Sequence, residues 1–142
     1  MDKPAGRVDV ETEATLRSAS PEQYMSPGQV AFFRRRLLDE EHALLAAVKE
    51  TAGHLQESGP SSDWNDRASA EEVHTLELRV RDRERKLLQK IREALKRIDE
   101  GNYGWCEETG EPIGIARLLA RPTASLCLEA QERHEQARRR FG

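Results

Sequence analysis

A chain of 142 residues has room for one ordinary domain, or for a small domain with an extension. With 37% hydrophobic, 35% charged and 5% aromatic residues, little of it can be core, and a net charge of −3 gives no global field that would favour nucleic acid or a membrane surface. No apolar run reaches the ~18 residues of a membrane span, and the opening Met1-Asp2-Lys3-Pro4 lacks the apolar stretch of a secretory signal, so the expected location is the cytoplasm.

Residues 1–25 scatter Val8, Val10, Leu16 and Tyr24 among acids, Ser and Pro, which predicts an arm with at most a short helix packed on the rest. A long helix opens at Ser26-Pro27-Gly28-Gln29, where serine suits the N-cap, proline the first helical position, and glutamine completes a capping box. Val30, Phe33, Leu37, Leu44, Val48 and Leu55 then recur at three, four or seven residues in a narrow stripe. From Pro27 to Gln56 such a helix would run roughly 45 Å.

The pattern breaks at Ser58-Gly59-Pro60, and a second helix starts near Asp66 with Val73, Leu76, Val80, Leu87, Ile91, Leu95 and Ile98 in the same narrow style. Gly101 is the expected C-terminal cap. An antiparallel pairing of the stripes sets Phe33 opposite Ile91, Leu37 opposite Leu87, Leu44 opposite Val80 and Val48 opposite Leu76. It also sets the two seam charges, Glu41 and Arg83, against each other, either as a pair that fixes the register or as two side chains that snorkel to water.

The expected fold is mainly α: a long antiparallel coiled-coil hairpin over residues 26–101, with its tip near 59–68, on a small α-rich head over 102–142. The head begins with a glycine-rich knuckle from Asn102 to Pro112, continues through a short apolar piece from Ile113 to Leu119, and ends in a helix from Ala124 to Arg140.

Cys106-x-x-Thr109 and Cys127-x-x-Ala130 carry the spacing of a four-cysteine zinc finger in which the second member of each pair is lost. Threonine is a poor zinc ligand and alanine none, so no tightly held zinc, and no other cofactor, is expected. Structural zinc contributes on the order of 10 kcal/mol in finger peptides. Apolar contact among Trp105, Ile113, Ile115, Leu118, Leu126 and Leu128, with the hairpin base and the N-terminal arm, must replace it.

No glycine-flanked serine, no His-x-x-x-His pair and no phosphate loop accompanies the histidines His42, His54, His74 and His134, so an enzyme is not expected. At the tip, Asp66 suits the N-cap of the second helix and Asp63 the turn, while both are also free to act on a partner; Trp64 beside them is a large ring at an exposed turn. The basic run from Arg79 to Arg97 reads either as a solvated helix face with Glu84 and Glu93 as partners, or as a surface for a phosphate-rich small molecule or an acidic protein. No base-reading set of side chains appears.

Two stretches carry a family resemblance: Asp63-Trp64-Asn65-Asp66-Arg67-Ala68 continuing through Leu76-Glu77-Leu78-Arg79-Val80-Arg81-Asp82-Arg83-Glu84-Arg85-Lys86-Leu87, and Tyr103-Gly104-Trp105-Cys106 with Gly114-Ile115-Ala116-Arg117-Leu118 and Ala120-Arg121-Pro122-Thr123-Ala124. From about Tyr24 to Arg133 the chain resembles the DksA/TraR family of bacterial transcription factors. The resemblance implies a monomeric protein that binds RNA polymerase, not DNA or membrane, and inserts its hairpin into the secondary channel to alter open-complex stability.

It further implies that Asp63, Asp66 and Ala68 are the acting tip, that Arg79 and Arg83 contact the channel rim, and that Leu87, Lys90 and Arg121 contact the alarmone ppGpp. Gln131 stands where the family usually has lysine. Thr109 and Ala130 at the finger positions resemble a zinc-independent branch that substitutes for zinc-bearing relatives when zinc is scarce. The alternatives are a Gre-like transcript cleavage factor, whose tip acids would hold a metal, and a coiled-coil scaffold or thiol redox sensor.

Overall fold

The backbone of the computed structural model is described for residues 11–57 and 64–141, and the side chains for 11–53 and 69–140. Five helices follow in order: α1 Glu13–Ser18, α2 Pro27–Glu57, α3 Trp64–Glu100, α4 Ile115–Ala120 and α5 Leu128–Phe141, with a 3-10 turn at Pro21–Gln23 before α2. Among the described residues there is no strand, only an isolated antiparallel bridge between Trp105 and Pro112. The chain falls into two compact units, one built from the chain up to Leu38 and from Glu93 onward, the other from Asp39–Arg92.

Helix ends follow the chemistry of their residues. At the start of α2 the Ser26 hydroxyl accepts the Gln29 N–H at 3.3 Å, and the Gln29 side chain reaches back to the Met25 N–H at 2.8 Å, one residue before the expected capping-box partner. Met25 takes a left-handed φ of 56°, which turns the arm into the helix, and Gln29 is 1% exposed. At the end of α3, Gly101 takes a φ of 79°, its N–H reaches Ile98 O at 3.1 Å, and the Asn102 N–H reaches Arg97 O at 2.8 Å. That is a Schellman motif, and glycine enters its left-handed position without a Cβ penalty. α3 begins at Trp64, so Asp66 lies in its first turn and not at the position before it. Of the break expected at 58–66, Trp64, Asn65 and Asp66 are the first residues of α3, and 58–63 lies outside the described residues.

The first unit holds most of the buried apolar side chains. Phe33 and Leu37 of α2 and Ala94 and Ile98 of α3 are buried in it, and so are Tyr103, Ile113, Leu118 and Leu119 from the head. The Phe33 ring lies 5.7 Å from Tyr103, and the Tyr103 hydroxyl donates to Pro122 O at 2.7 Å. The arm belongs here too: α1 packs on α4, with Leu16 1% exposed, and is closed by a capping box between Thr12 and Thr15. On the surface of this unit Arg34 of α2 pairs with Asp99 of α3 at 2.8 Å.

In the second unit α2 and α3 run antiparallel, as two cross-links show: Glu41 pairs with Arg92 at 3.3 Å, and the Thr51 hydroxyl donates to Glu84 at 3.0 Å. The sequence set Glu41 against Arg83, whereas its partner is nine residues further along α3 and Arg83 is exposed. With the register moved, Leu76 and Leu87 are exposed at 59% and 43%, while Glu84 is 8% exposed. Leu44 and Val48 of α2 remain half-buried, but Val80 and Leu76, set opposite them by the sequence pattern, are exposed.

Candidate functional site

The knuckle is a tight loop closed by backbone bonds. Cys106 N–H donates to Glu111 O at 2.7 Å, Gly110 N–H to Cys106 O at 2.9 Å, and Ile113 N–H to Gly104 O at 2.8 Å. Gly104 and Gly110 sit at φ of 91° and 75°; a Cβ on Gly104 would also stand 2.5 Å from the Met25 sulfur. Glu107 N–H donates to Ser125 O at 2.9 Å, which draws the knuckle onto the segment leading to α5. Cys127 ends that segment, and its carbonyl accepts the Gln131 N–H at 3.0 Å as the first bond of α5.

These bonds bring the four finger positions together. Cys106 and Cys127 are free thiols, 3% and 7% exposed. The Thr109 hydroxyl lies 3.9 Å from Cys127 Sγ and accepts the Glu111 N–H at 3.2 Å. Ala130, three residues after Cys127 and on the same face of α5, is fully buried. Burial pushes the Cys106 thiol up, but hydrogen bonds from the Thr109 hydroxyl and from the backbone at Cys127, Thr109 and Glu108 outweigh it and hold the thiol at about 6. The donor set is two sulfurs, an already engaged hydroxyl and a methyl, which does not fit the four-ligand tetrahedron of structural zinc.

What holds the knuckle in place is a set of polar ties. The Tyr24 hydroxyl donates to Gly104 O and accepts the Gly114 N–H at 2.9 Å, so it spans the two sides of the loop; its ring meets Trp105 edge-on at 5.2 Å. Arg97, near the end of α3, reaches Thr123 O at 3.3 Å and Glu107 at 3.7 Å. Arg117 donates to Leu126 O at 3.0 Å. Glu108 bonds His134 and lies 3.6 Å from Arg133, both on α5, and these neighbours, His134 first, hold its carboxyl below the usual range.

Of the apolar residues expected to replace the metal, Ile113 and Leu118 are buried and Ile115 and Leu126 half-buried, but Trp105 and Leu128 are exposed. Sequence reasoning missed Tyr24, which lies in an arm without periodicity and finds its partners about eighty and ninety residues away.

The remaining predicted site residues fall in separate places. Asp63 lies outside the described residues; Asp66 and Ala68 are in the first two turns of α3, and their side chains are not described. Arg79, Arg83, Leu87 and Lys90 are exposed on α3 in the second unit. Arg121 belongs to the first unit, just after α4, where it lines a groove with Ile113, Arg117, Gln131 and Glu135. Gln131 in that groove reaches Glu135 at 3.4 Å.

Residues 29–98 match the model for the DnaK suppressor protein DksA, N-terminal domain, and residues 101–136 that for the prokaryotic dksA/traR C4-type zinc finger. The RNA polymerase-binding transcription factor DksA of Caulobacter vibrioides is 51% identical over 89% of this chain and 90% of its own length. That of Escherichia coli K12 is 46% identical over 78% of this chain and 74% of its own. The solved structure of transcription factor DksA2 from Pseudomonas aeruginosa superposes with a TM-score of 0.83 at 47% identity, covering 89% of this chain and 98% of that one.

Proposed function

Because this chain belongs to the DksA/TraR family, we propose that it is a transcription regulator that binds RNA polymerase. The observation that carries the proposal is 51% identity, across 89% of the chain, to a protein named for that binding. The paired α2 and α3, linked by Glu41 with Arg92 and Thr51 with Glu84, suit such a role, since a two-helix arm is narrow enough to carry charge into a channel that excludes a globular domain. The activity is not enzymatic; the protein acts on the stability of open promoter complexes by entering the secondary channel of the polymerase.

In this reading Asp63, Asp66 and Ala68 act at the tip. An acid in the first turn of a helix is favoured by the helix dipole, which suits Asp66. The exposed Arg79 and Arg83 meet the channel rim, and Leu87, Lys90 and Arg121 serve ppGpp at the polymerase interface. Two thiols in place of four make the protein independent of zinc, so that it serves where zinc is scarce. It works as a monomer in the cytoplasm, without direct DNA contact.

The test is transcription in vitro from a promoter with an unstable open complex, with protein purified in chelator, with and without ppGpp, and with polymerase binding measured separately. The wild-type chain should alter transcription after chelation, and Asp66→Asn should keep binding while losing most of the effect. An unchanged effect in Asp66→Asn removes the tip assignment; loss of the wild-type effect on chelation removes zinc independence.

A further inference from the structure

A buried pair of thiols that cannot complete a zinc tetrahedron is still a ligand set, and its donors favour a different ion. We propose that Cys106 and Cys127 form a two-sulfur site for a soft monovalent cation, with copper(I) as the ion of that class that fits and can be tested. The two sulfurs come from different segments, the knuckle and the residue before α5, and backbone bonds fix both: Cys106 N–H to Glu111 O at 2.7 Å, Glu107 N–H to Ser125 O at 2.9 Å, and Gln131 N–H to Cys127 O at 3.0 Å. The Thr109 hydroxyl, three residues after Cys106 on the knuckle, stands 3.9 Å from Cys127 Sγ, so the loop that carries the first sulfur lies against the second.

Neither thiol is in a disulfide, and at 3% and 7% exposure both are shielded from water. The two other finger positions add no donor. Ala130 closes one with a methyl, and the Thr109 oxygen already accepts the Glu111 N–H. Among the described residues no group of three or more His, Cys, Asp or Glu side chains could add ligands.

Zinc placed here would lack half its tetrahedron. Copper(I) is selected by soft thiolates and needs no imidazole or carboxylate. Both sulfurs bind as thiolates, so one ion and two cysteines yield a bis-thiolate complex of charge −1, any proton still on a sulfur being released to solvent, with no change of oxidation state. The site is independent of the action of the long helices.

The test uses the reduced full chain under anaerobic conditions, titrated with copper(I) held by a coloured competing chelator. The expected result is uptake of one ion per chain and an X-ray absorption spectrum of copper bound by two sulfurs and no nitrogen. Cys106→Ser and Cys127→Ser should each abolish stoichiometric uptake, His134→Ala should leave it unchanged, and zinc(II) should not be retained through a desalting column. If the serine variants lose helicity, the absorption spectrum of the wild-type chain decides alone. Absent copper uptake, uptake that survives either serine substitution, nitrogen in the coordination shell, or equimolar retained zinc would each overturn the site.

Discussion

Tyr24 connects residues that the chain keeps far apart. Its hydroxyl spends both its hydrogen and a lone pair on the knuckle backbone, at Gly104 O and Gly114 N–H, in the loop whose family counterpart is a zinc finger. Replacing it with phenylalanine keeps the ring against Trp105 but leaves a carbonyl and an N–H without their partner, so Tyr24→Phe should cost about 1–3 kcal/mol at neutral pH, read from urea denaturation. Burial raises the Tyr24 phenol above its ordinary 10.0, with hydrogen bonds at Gly114 and Ile113 pulling the other way. A group raised on folding contributes its stability below its unfolded value and loses it as pH climbs through the folded one. The gap between wild type and Tyr24→Phe should therefore be full at pH 7–9 and narrow above about 10, because only the wild type has a phenol to ionise there. At this scale the sequence was half legible. The cysteine spacing pointed to Thr109 and Cys127, which lie 3.9 Å apart, because ligand spacing is local; Tyr24 could not be found that way, since a hydroxyl's choice of a distant carbonyl leaves no periodicity behind.

The two long helices, the start of α2, the end of α3 and the antiparallel sense were legible because Ser26, Pro27, Gln29 and Gly101 are terminal signals that act within a few residues; the start of α3 was not, since the helix begins at Trp64 and not near Asp66. The register was not. Two phases of the heptad compete on α3, one collecting Leu76, Val80 and Leu87, the other Glu84, Ile91 and Ile98, and counting apolar residues favours the first. Packing in the first unit, where Phe33 meets Tyr103 and Arg34 pairs with Asp99, agrees with the second, which puts Glu84 into the seam of the second unit with Thr51 as its donor. One Glu84 oxygen has no hydrogen-bond partner. A carboxylate held like this adds little net stability but suffers if its donor is lost. Thr51→Val, which keeps the shape and removes the donor, should destabilise by about 1–3 kcal/mol. Glu84→Leu should be neutral or stabilising, and Thr51→Val added to Glu84→Leu should cost far less than it does alone. Additive losses in that double-mutant cycle would show that the hydroxyl and the carboxylate are not coupled.

Over the whole molecule, burial is unevenly divided. Among the described residues the buried apolar side chains belong to the unit formed up to Leu38 and from Glu93 onward, with Ile91 the exception just across its border. The second unit relies on half-buried Leu44, Val48 and Leu88, on the buried but polar Glu84, and on surface pairs such as Asp82 with Lys86 at 3.1 Å, which contribute at most about 1 kcal/mol each. A low apolar content could announce that some part of the chain would be poorly buried, but only the packing assigns that property to Asp39–Arg92. Such a segment opens more cheaply than the rest, since few buried contacts are lost when it does. In native-state hydrogen exchange, amides of residues 42–50 and 74–86 should be at least about tenfold less protected than those of 94–98 and of Leu118 and Leu119. Helix interiors exchange slowly by default, so equal protection in both sets would mean that the helix pair opens only with the head. A difference in the predicted direction would mean that Asp39–Arg92 can loosen while the knuckle and its arm stay closed.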